Sequence, residues 1–190
     1  PIDGVSGTNP LISRIKTRIE TDQIPPSVGR TFYVQSAGSD DPSCPDGWTF
    51  RTIQAAVNCA TQPSDTVLVR AGTYTQRIFI SKSGTPNNYI TVRNFGNEKV
   101  VLDGAGLSGC EGQAADVSPC GILITGAYIR VKGFEIQNFE VGILPGGAAH
   151  DVIIEDNFIH HSGKNGIRPG GWSQDKQIFV ANLTIQRNII

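Results

Sequence analysis

The spacing of apolar positions along the chain changes twice. Within residues 52–60, Ile53, Ala56, Val57 and Ala60 stand three and four apart, which places them on one face of a short amphipathic helix. Before it, Phe32-Tyr33-Val34 reads as a short strand, closed by a polar turn over residues 36–41. After it, helical spacing stops and short apolar runs take over, at 67–69, 78–80, 90–92, 100–102, 122–124, 129–131, 152–154 and 183–185. Gly, Asn, Asp or Pro separates most of these runs, as a chain of strands and tight turns requires. Hairpin signals are sparse, with only Asp103-Gly104 and Asn165-Gly166 of that kind. Residues 1–30 show no sustained period and are broken by Pro10, Pro25 and Pro26 around a short predicted helix at 11–20. They read as a linker or leader.

The runs repeat. Gly142-Ile143-Leu144-Pro145-Gly146-Gly147 returns as Gly166-Ile167-Arg168-Pro169-Gly170-Gly171, and Gly121-Ile122 stands one copy earlier. Val131 matches Ile154, Ile136 matches Ile159, and Val69 matches Val92 at a common shift in the low twenties. Asp156-Asn157-Phe158-Ile159 is echoed by Arg187-Asn188-Ile189-Ile190 at a longer shift, as if an outward loop around residues 172–181 lengthened that copy. A period in the low twenties built from short strands is one turn of a parallel β-solenoid, each coil burying its inward aliphatics on the next. The fold class predicted is therefore all-β: a right-handed parallel β-helix over residues 31–190 with an N-terminal capping helix. The repeat still runs at Ile190, so further coils are expected beyond it.

Composition narrows the setting. Sixteen basic and seventeen acidic residues leave a formal charge of −1, which gives no electrostatic case for nucleic acid or an anionic membrane. No apolar run reaches the roughly 20 residues of a membrane span. Pro1 in place of Met predicts removal of something upstream. Cys44 with Cys59, and Cys110 with Cys120, read as two local disulfides, hence an oxidising, extracellular setting. Neither pair has a CxxC or a His at zinc spacing. Asn182-Leu183-Thr184 is a formal glycosylation sequon of little weight.

Several segments occur in a telling order: Thr31-Phe32-Tyr33-Val34, Phe50-Arg51-Thr52-Ile53-Gln54-Ala55-Ala56-Val57, Asp65-Thr66-Val67-Leu68-Val69 and Ala71-Gly72-Thr73-Tyr74. Tyr89-Ile90-Thr91-Val92 and Val100-Val101-Leu102-Asp103-Gly104 follow. That series resembles the N-terminal region of pectate-lyase-like β-helices. It is most similar to the family nine polysaccharide lyases and uncharacterised relatives, with a weaker likeness to the family six alginate and chondroitin lyases. The resemblance implies a secreted protein, monomeric at full length, acting on an acidic polysaccharide. In such lyases a Lys or Arg removes the proton beside a uronate carboxylate, usually with calcium neutralising that carboxylate. The Asp cluster that would hold calcium is absent here, leaving Asp156 and Glu155, with Asp151 nearby, as the acids that could contribute.

The richest polar stretch is residues 156–168. Lys164 or Arg168 is the candidate base, and Arg168, which replaces Leu144 of the preceding copy, is also a candidate for binding a substrate carboxylate. His160 or His161 could act as a general acid, although neighbours on an extended segment point to opposite faces. Trp172, in the lengthened loop, could stack on a sugar ring. Lys132 and Glu155 should pair on adjacent coils, and Asn157 and Asn188 should form an amide ladder. Two further readings stay open: a glycoside hydrolase, which needs two carboxylates facing one groove, and a non-catalytic glycan-binding or structural β-helix.

Overall fold

A computed structural model describes residues 28–107, 120–173, 176–178 and 180–190. The predicted helix at 11–20 lies outside them. In chain order the elements are β1 (Thr31–Val34), β2 (Thr49–Phe50), α1 (Ile53–Cys59), β3 (Thr66–Val69), β4 (Gly72–Tyr74) and β5 (Ile78–Ile80). Then come β6 (Ile90–Asn94), β7 (Val100–Asp103), β8 (Cys120–Ile124), β9 (Ile129–Lys132), β10 (Phe134–Gln137) and β11 (Val141–Pro145). The last are β12 (His150–Glu155), β13 (Phe158–His160), β14 (Asn165–Ile167), β15 (Gly171–Ser173), β16 (Lys176–Ile178) and β17 (Ala181–Gln186).

The strands deal themselves out in threes. Sheet one runs β17-β12-β9-β6-β3-β1-β2, sheet two β13-β10-β7-β4 and sheet three β14-β11-β8-β5. Each coil gives one strand to each sheet, and every pairing among these three sheets is parallel. This is a parallel β-helix. Because side chains alternate along a strand, every second residue points inward and meets its counterpart one rung away. Phe32, Val67, Val92, Val131 and Ile154 form one such column, in register across sheet one. Ile78, Ile122, Ile143 and Ile167 form another in sheet three. All but Ile167 of these nine are essentially inaccessible to solvent.

The repeats matched by sequence thus hold for Ile143 with Ile167, Ile136 with Ile159 and Val131 with Ile154. One match does not. Val92 pairs with Val67, and Val69 with Asn94, so that coil is two residues longer than the shared period suggested. Neither of the two sparse hairpin signals makes a hairpin: Asp103-Gly104 closes β7 as a turn, and Asn165-Gly166 lies inside β14. The antiparallel pair that does form, β15 with β16, sits in the loop that lengthens its coil.

Corners are fixed by backbone conformation and buried amides. Between sheets one and two, Gly133, Asp156 and Arg187 occupy the left-handed region at φ 78, 55 and 53° on successive coils. A Cβ on Gly133 would meet Asn94 Oδ1 at 2.1 Å, which leaves glycine as the residue that fits. Asn157, 2% exposed, accepts at Oδ1 from Phe134 N at 3.0 Å and donates from Nδ2 to Asn188 Oδ1 at 3.0 Å. Asn188 donates onward to the Ile154 carbonyl at 2.9 Å. The amide ladder therefore satisfies buried polar groups that the turn would otherwise strand.

The N-terminal end is closed by α1, which packs on β1, β2, β3 and β5 through Ile53, Ala56, Val57 and Cys59. Thr52 caps it by accepting from Ala55 N. The Cys44–Cys59 disulfide, with Cα atoms 5.3 Å apart, ties the helix to the preceding loop. Beneath, the fully buried Asp65 carboxylate accepts from the backbone of Arg30, Thr61 and Gln62 and pairs with Arg30 Nη2 at 2.8 Å. It joins the first strand to the helix C-terminus by charge-assisted bonds.

Truncating an inward column should cost far more than truncating an outward one. Ile143→Ala is expected to lower the unfolding free energy by about 2–5 kcal/mol. Thr184→Ala, exposed on the outer face of sheet one, should stay within about 0.5 kcal/mol of the parent. Urea titration of the two variants beside the parent reads the difference directly.

Candidate functional site

Strand β14 carries two of the predicted residues at its flanks, because the corner entering it is pinned to the coil below. Gly163 N donates to the Phe139 carbonyl at 2.9 Å, and Lys164 N to the Glu140 carbonyl at 2.8 Å. Lys164 Nζ then reaches Glu140 Oε2 at 2.6 Å, a half-exposed ion pair. Arg168 N donates to the Ile143 carbonyl at 3.0 Å, which fixes the other flank. Lys164 and Arg168 stand four positions apart on either side of β14, about 13 Å between Cα atoms on extended chain.

Arg168 continues the outward column of sheet three. Phe79 pairs with Leu123, Leu123 with Leu144, and Arg168 follows Ile167 beside Leu144. The Leu144 position is not a solvated face: Leu144 is 3% exposed and clusters with Cys120, Leu123 and Val141. Arg168 therefore places a guanidinium at the edge of an apolar strip. It has no side-chain partner among the described residues.

His160 and His161 do not point apart. His161 adopts φ 52°, which leaves the extended region and turns its ring so that the two Nδ1 atoms face each other. Phe158 stacks on His160 with ring centroids 4.4 Å apart, and His160 Nε2 lies 3.3 Å from Glu135 Oε1. Lys99 Nζ holds the other Glu135 oxygen at 2.8 Å, and that hydrogen bond is the main reason the Glu135 carboxyl is held below the usual carboxylate range. Asp103 lies on the same outward face, its partner across the rung being Gln137. It accepts from Asn138 Nδ2 at 2.8 Å, Ala105 N at 2.9 Å and Gln137 Nε2 at 3.0 Å, which depresses its pKa in that order. The polar ladder is legible in the sequence, where the 23-residue shift aligns His160 and His161 with Gln137 and Asn138; the structure extends it to Asp103, which pairs with Gln137.

Glu155 and Asp156 lie at the corner between sheets one and two, away from β14. Glu155 is 5% exposed and stacks on Lys132 as expected, but the pair belongs to a larger network and is no surface pair. Arg187 Nη2 reaches Glu155 Oε2 at 2.7 Å and Arg187 Nε reaches Asp156 Oδ1 at 2.6 Å. Lys132 Nζ holds Asp156 Oδ2 at 2.9 Å. Arg187 first, then Lys132, drives the Asp156 carboxyl far below its ordinary value, and the Arg187 guanidinium is raised in return. Burial pushes Glu155 up, but Gln186, Arg187 and the nearby Lys132 and Arg130 more than reverse it. A calcium ion here would have to displace an arginine, so these acids fit an ion-pair network and not a calcium site. Among the described residues no group of three or more His, Cys, Asp or Glu is placed to hold a metal.

Two expectations fall partly outside the described residues. Cys120 opens β8 and is buried, but Cys110 is not among the residues described. Trp172 lies in β15 opposite Gln177, and its side chain lies outside the description.

Comparison with known proteins supplies the family. The model of the Pel9A-like, right-handed β-helix region matches residues 32–188. The chain belongs to the Pel9A-like right-handed β-helix family. Pectate lyase PEL9 of Emericella nidulans is 38% identical over 87 residues, covering 45% of this chain and 21% of that protein. The uncharacterised protein YwoF of Bacillus subtilis (strain 168) is 31% identical over 139 residues, covering 69% of this chain and 29% of that protein. This Pel9A-like chain thus spans less than a third of either curated relative. Among solved structures, a rhamnogalacturonan lyase superposes with TM-score 0.55 at 15% identity, covering 84% of this chain and 51% of that one. A lacto-N-biosidase from Eubacterium ramulus gives 0.50 at 14% identity, covering 93% and 36%. At such identities both likenesses concern the fold.

The corner network makes a pH prediction. Glu155 and Asp156 have folded-state pKa values below those of the unfolded chain, about 4. Their stabilisation is therefore complete above that range and drains as pH falls through the folded values. Arg187→Gln should be less stable than the parent near neutral pH, with the gap closing towards about pH 2. Thermal melts across that range check it, and a pH-independent gap would contradict it.

Proposed function

We propose that the chain is part of a secreted polysaccharide lyase that cleaves an acidic polysaccharide by β-elimination, with Arg168 meeting the uronate carboxylate. The observation that carries this reading is the placement of Arg168. Within a fold family that includes a named pectate lyase, it is a guanidinium in place of an apolar residue, with no side-chain partner among the described residues. It sits at the edge of the outward strip Phe79, Leu123 and Leu144. A planar guanidinium recognises a carboxylate through two parallel hydrogen bonds, and apolar side chains beside it suit the faces of sugar rings.

In this reading the base removes the proton on the carbon beside the carboxylate, the electron pair forms a double bond and the glycosidic oxygen leaves. A cation at the carboxylate stabilises the charge that develops there. Lys164, steered by Glu140, and Arg168 are the two residues of this chain offered for the proton and the carboxylate. His160, aligned by Glu135, could return a proton to the leaving oxygen. Trp172 is offered for ring stacking. Calcium, held by residues other than Glu155 and Asp156, and oxidising surroundings belong to the same proposal, and the Cys44–Cys59 bridge supports the latter. No helix among the described residues is long and apolar enough to cross a membrane.

The glycoside hydrolase reading is weaker on an observable ground. Its general acid must stay protonated, so its pKa must be raised. Asp103 and Glu135 do share one outward face, yet both are shifted down.

The test uses the chain, and a longer form containing it, with pectate, alginate and a glycosaminoglycan, following ultraviolet absorbance of the unsaturated uronide. Arg168→Ala should lower kcat/KM by about a hundredfold or more, and Arg168→Lys should recover part of it. Parent-like rates in Arg168→Ala and Lys164→Ala together would remove the proposed site.

A further inference from the structure

The outer face of sheet one carries a second concentration of positive charge, far from β14 in the coil. Register aligns its side chains in rows along the helix axis. Tyr33, Leu68, Arg93, Lys132, Glu155 and Gln186 form one row. Thr31, Thr66, Thr91, Arg130, Ile153 and Thr184 form the next. Cations therefore enter both rows at neighbouring rungs, β6 and β9, and Arg187 adds another beyond β17. Against Arg93, Arg130, Lys132 and Arg187 stand Glu155 and Asp156, with Asp151 further along β12 paired to His150 at 2.7 Å, in a chain whose formal charge is −1.

One of the four cations, Arg93, is not spent on the fold, and a second, Arg130, is held only by a long ion pair to Glu155. Arg93 is half-buried and has no side-chain hydrogen bond or ion pair among the described residues. Arg130 Nε is buried without a hydrogen-bond partner, the nearest Glu155 oxygen being 3.9 Å away. A guanidinium nitrogen left in that state costs free energy until an acceptor reaches it. Beside these groups runs an aromatic row. The Arg130 guanidinium lies 5.7 Å from the Tyr89 ring centre, Tyr89 meets Tyr128 edge-on at 5.8 Å, and Tyr128 meets His150 edge-on at 5.4 Å. All are partly exposed.

We infer that this face is a second binding surface for a carboxylate-bearing polysaccharide, with Arg93 and Arg130 as its anion-binding groups and Tyr89 and Tyr128 as its ring-stacking groups. Charge complementarity selects an anionic partner. The pairing of guanidinium with flat aromatic faces selects a sugar polymer, whose units present a carboxylate and an apolar ring face in turn. Rungs spaced about 4.8 Å apart repeat these contacts along a chain that itself repeats. Arg93 and Arg130 lie on sheet one, and Tyr89 and Tyr128 stand immediately before its strands β6 and β9, whereas Arg168 follows β14 of sheet three, so the surface anchors polymer without taking part in its cleavage. The inference shares with the lyase reading only the class of polysaccharide, and binding is read apart from product formation.

The experiment is affinity electrophoresis of the chain in native gels containing polygalacturonate, with neutral dextran, heparin and duplex DNA as companions, at several salt concentrations. The parent should be retarded by polygalacturonate and not by dextran, and less so as salt rises. R93A/R130A should weaken retardation at least about fivefold, whereas R168A, which removes only the carboxylate contact of the proposed cleavage site, should weaken it less. Arg93 has no side-chain partner among the described residues, so R93A alone provides a folded variant whose thermal melt matches the parent, and R93K should restore its binding. Parent-like retardation of R93A/R130A would overturn the inference, as would no retardation of the parent. Equal retardation by DNA and heparin would overturn the assignment to a polyuronate. Loss of binding in R168A with none in R93A/R130A would move the surface to sheet three and leave the lyase reading standing.

Discussion

An inward aliphatic in this chain is buried only because its counterpart one rung away is buried too. No single coil of short strands encloses a core, since its inward face is a ring one residue thick. Stacking Val67 on Val92, Val92 on Val131 and Val131 on Ile154 turns four thin rings into a continuous column. The hydrophobic effect acts on the whole column, so register cannot slip by one residue without turning every side chain in a strand to the wrong face. The parallel backbone bonds, the left-handed corners and the amide ladder all serve that register, and α1 covers the end where the column begins.

This constraint also explains how the outer surface comes to hold chemistry. Fixed register makes the outward residues into rows as regular as the inward ones. A change of residue type at one rung then creates a local site: Arg168 after the apolar Phe79, Leu123 and Leu144, or Arg130 after three threonines. Close stacking of charges carries its own requirement, met at the corner where Lys132, Glu155, Asp156 and Arg187 neutralise one another within 2.6 to 3.7 Å.

The architecture was legible in the sequence because solenoid stacking imposes a period that aliphatic residues must obey. Ile143 and Ile167, or Asn157 and Asn188, reveal their partnership by identity at a fixed shift. Where coils vary in length the rule weakens, and Val92 was matched to Val69 although its partner is Val67. The strands β4, β10, β11, β13 and β14 were not among the apolar runs because Gly, Glu, Gln, His or Asn interrupts or ends their apolar residues. The site was less legible. Nothing local marks Asp65 as fully buried, since its partner Arg30 is 35 residues away. The corner network likewise depends on which side chains three coils bring together. Rotation of His161 through a positive φ defeated a rule that assumes extended backbone.

The central claim is that stacked inward residues stabilise one another across rungs, and a double-mutant cycle on Val131 and Ile154 tests it most directly. Unfolding free energies of the parent, Val131→Ala, Ile154→Ala and the double variant should yield a coupling of about 0.5–3 kcal/mol. Strict additivity for this pair would mean that the two side chains do not share a column, and would contradict the account.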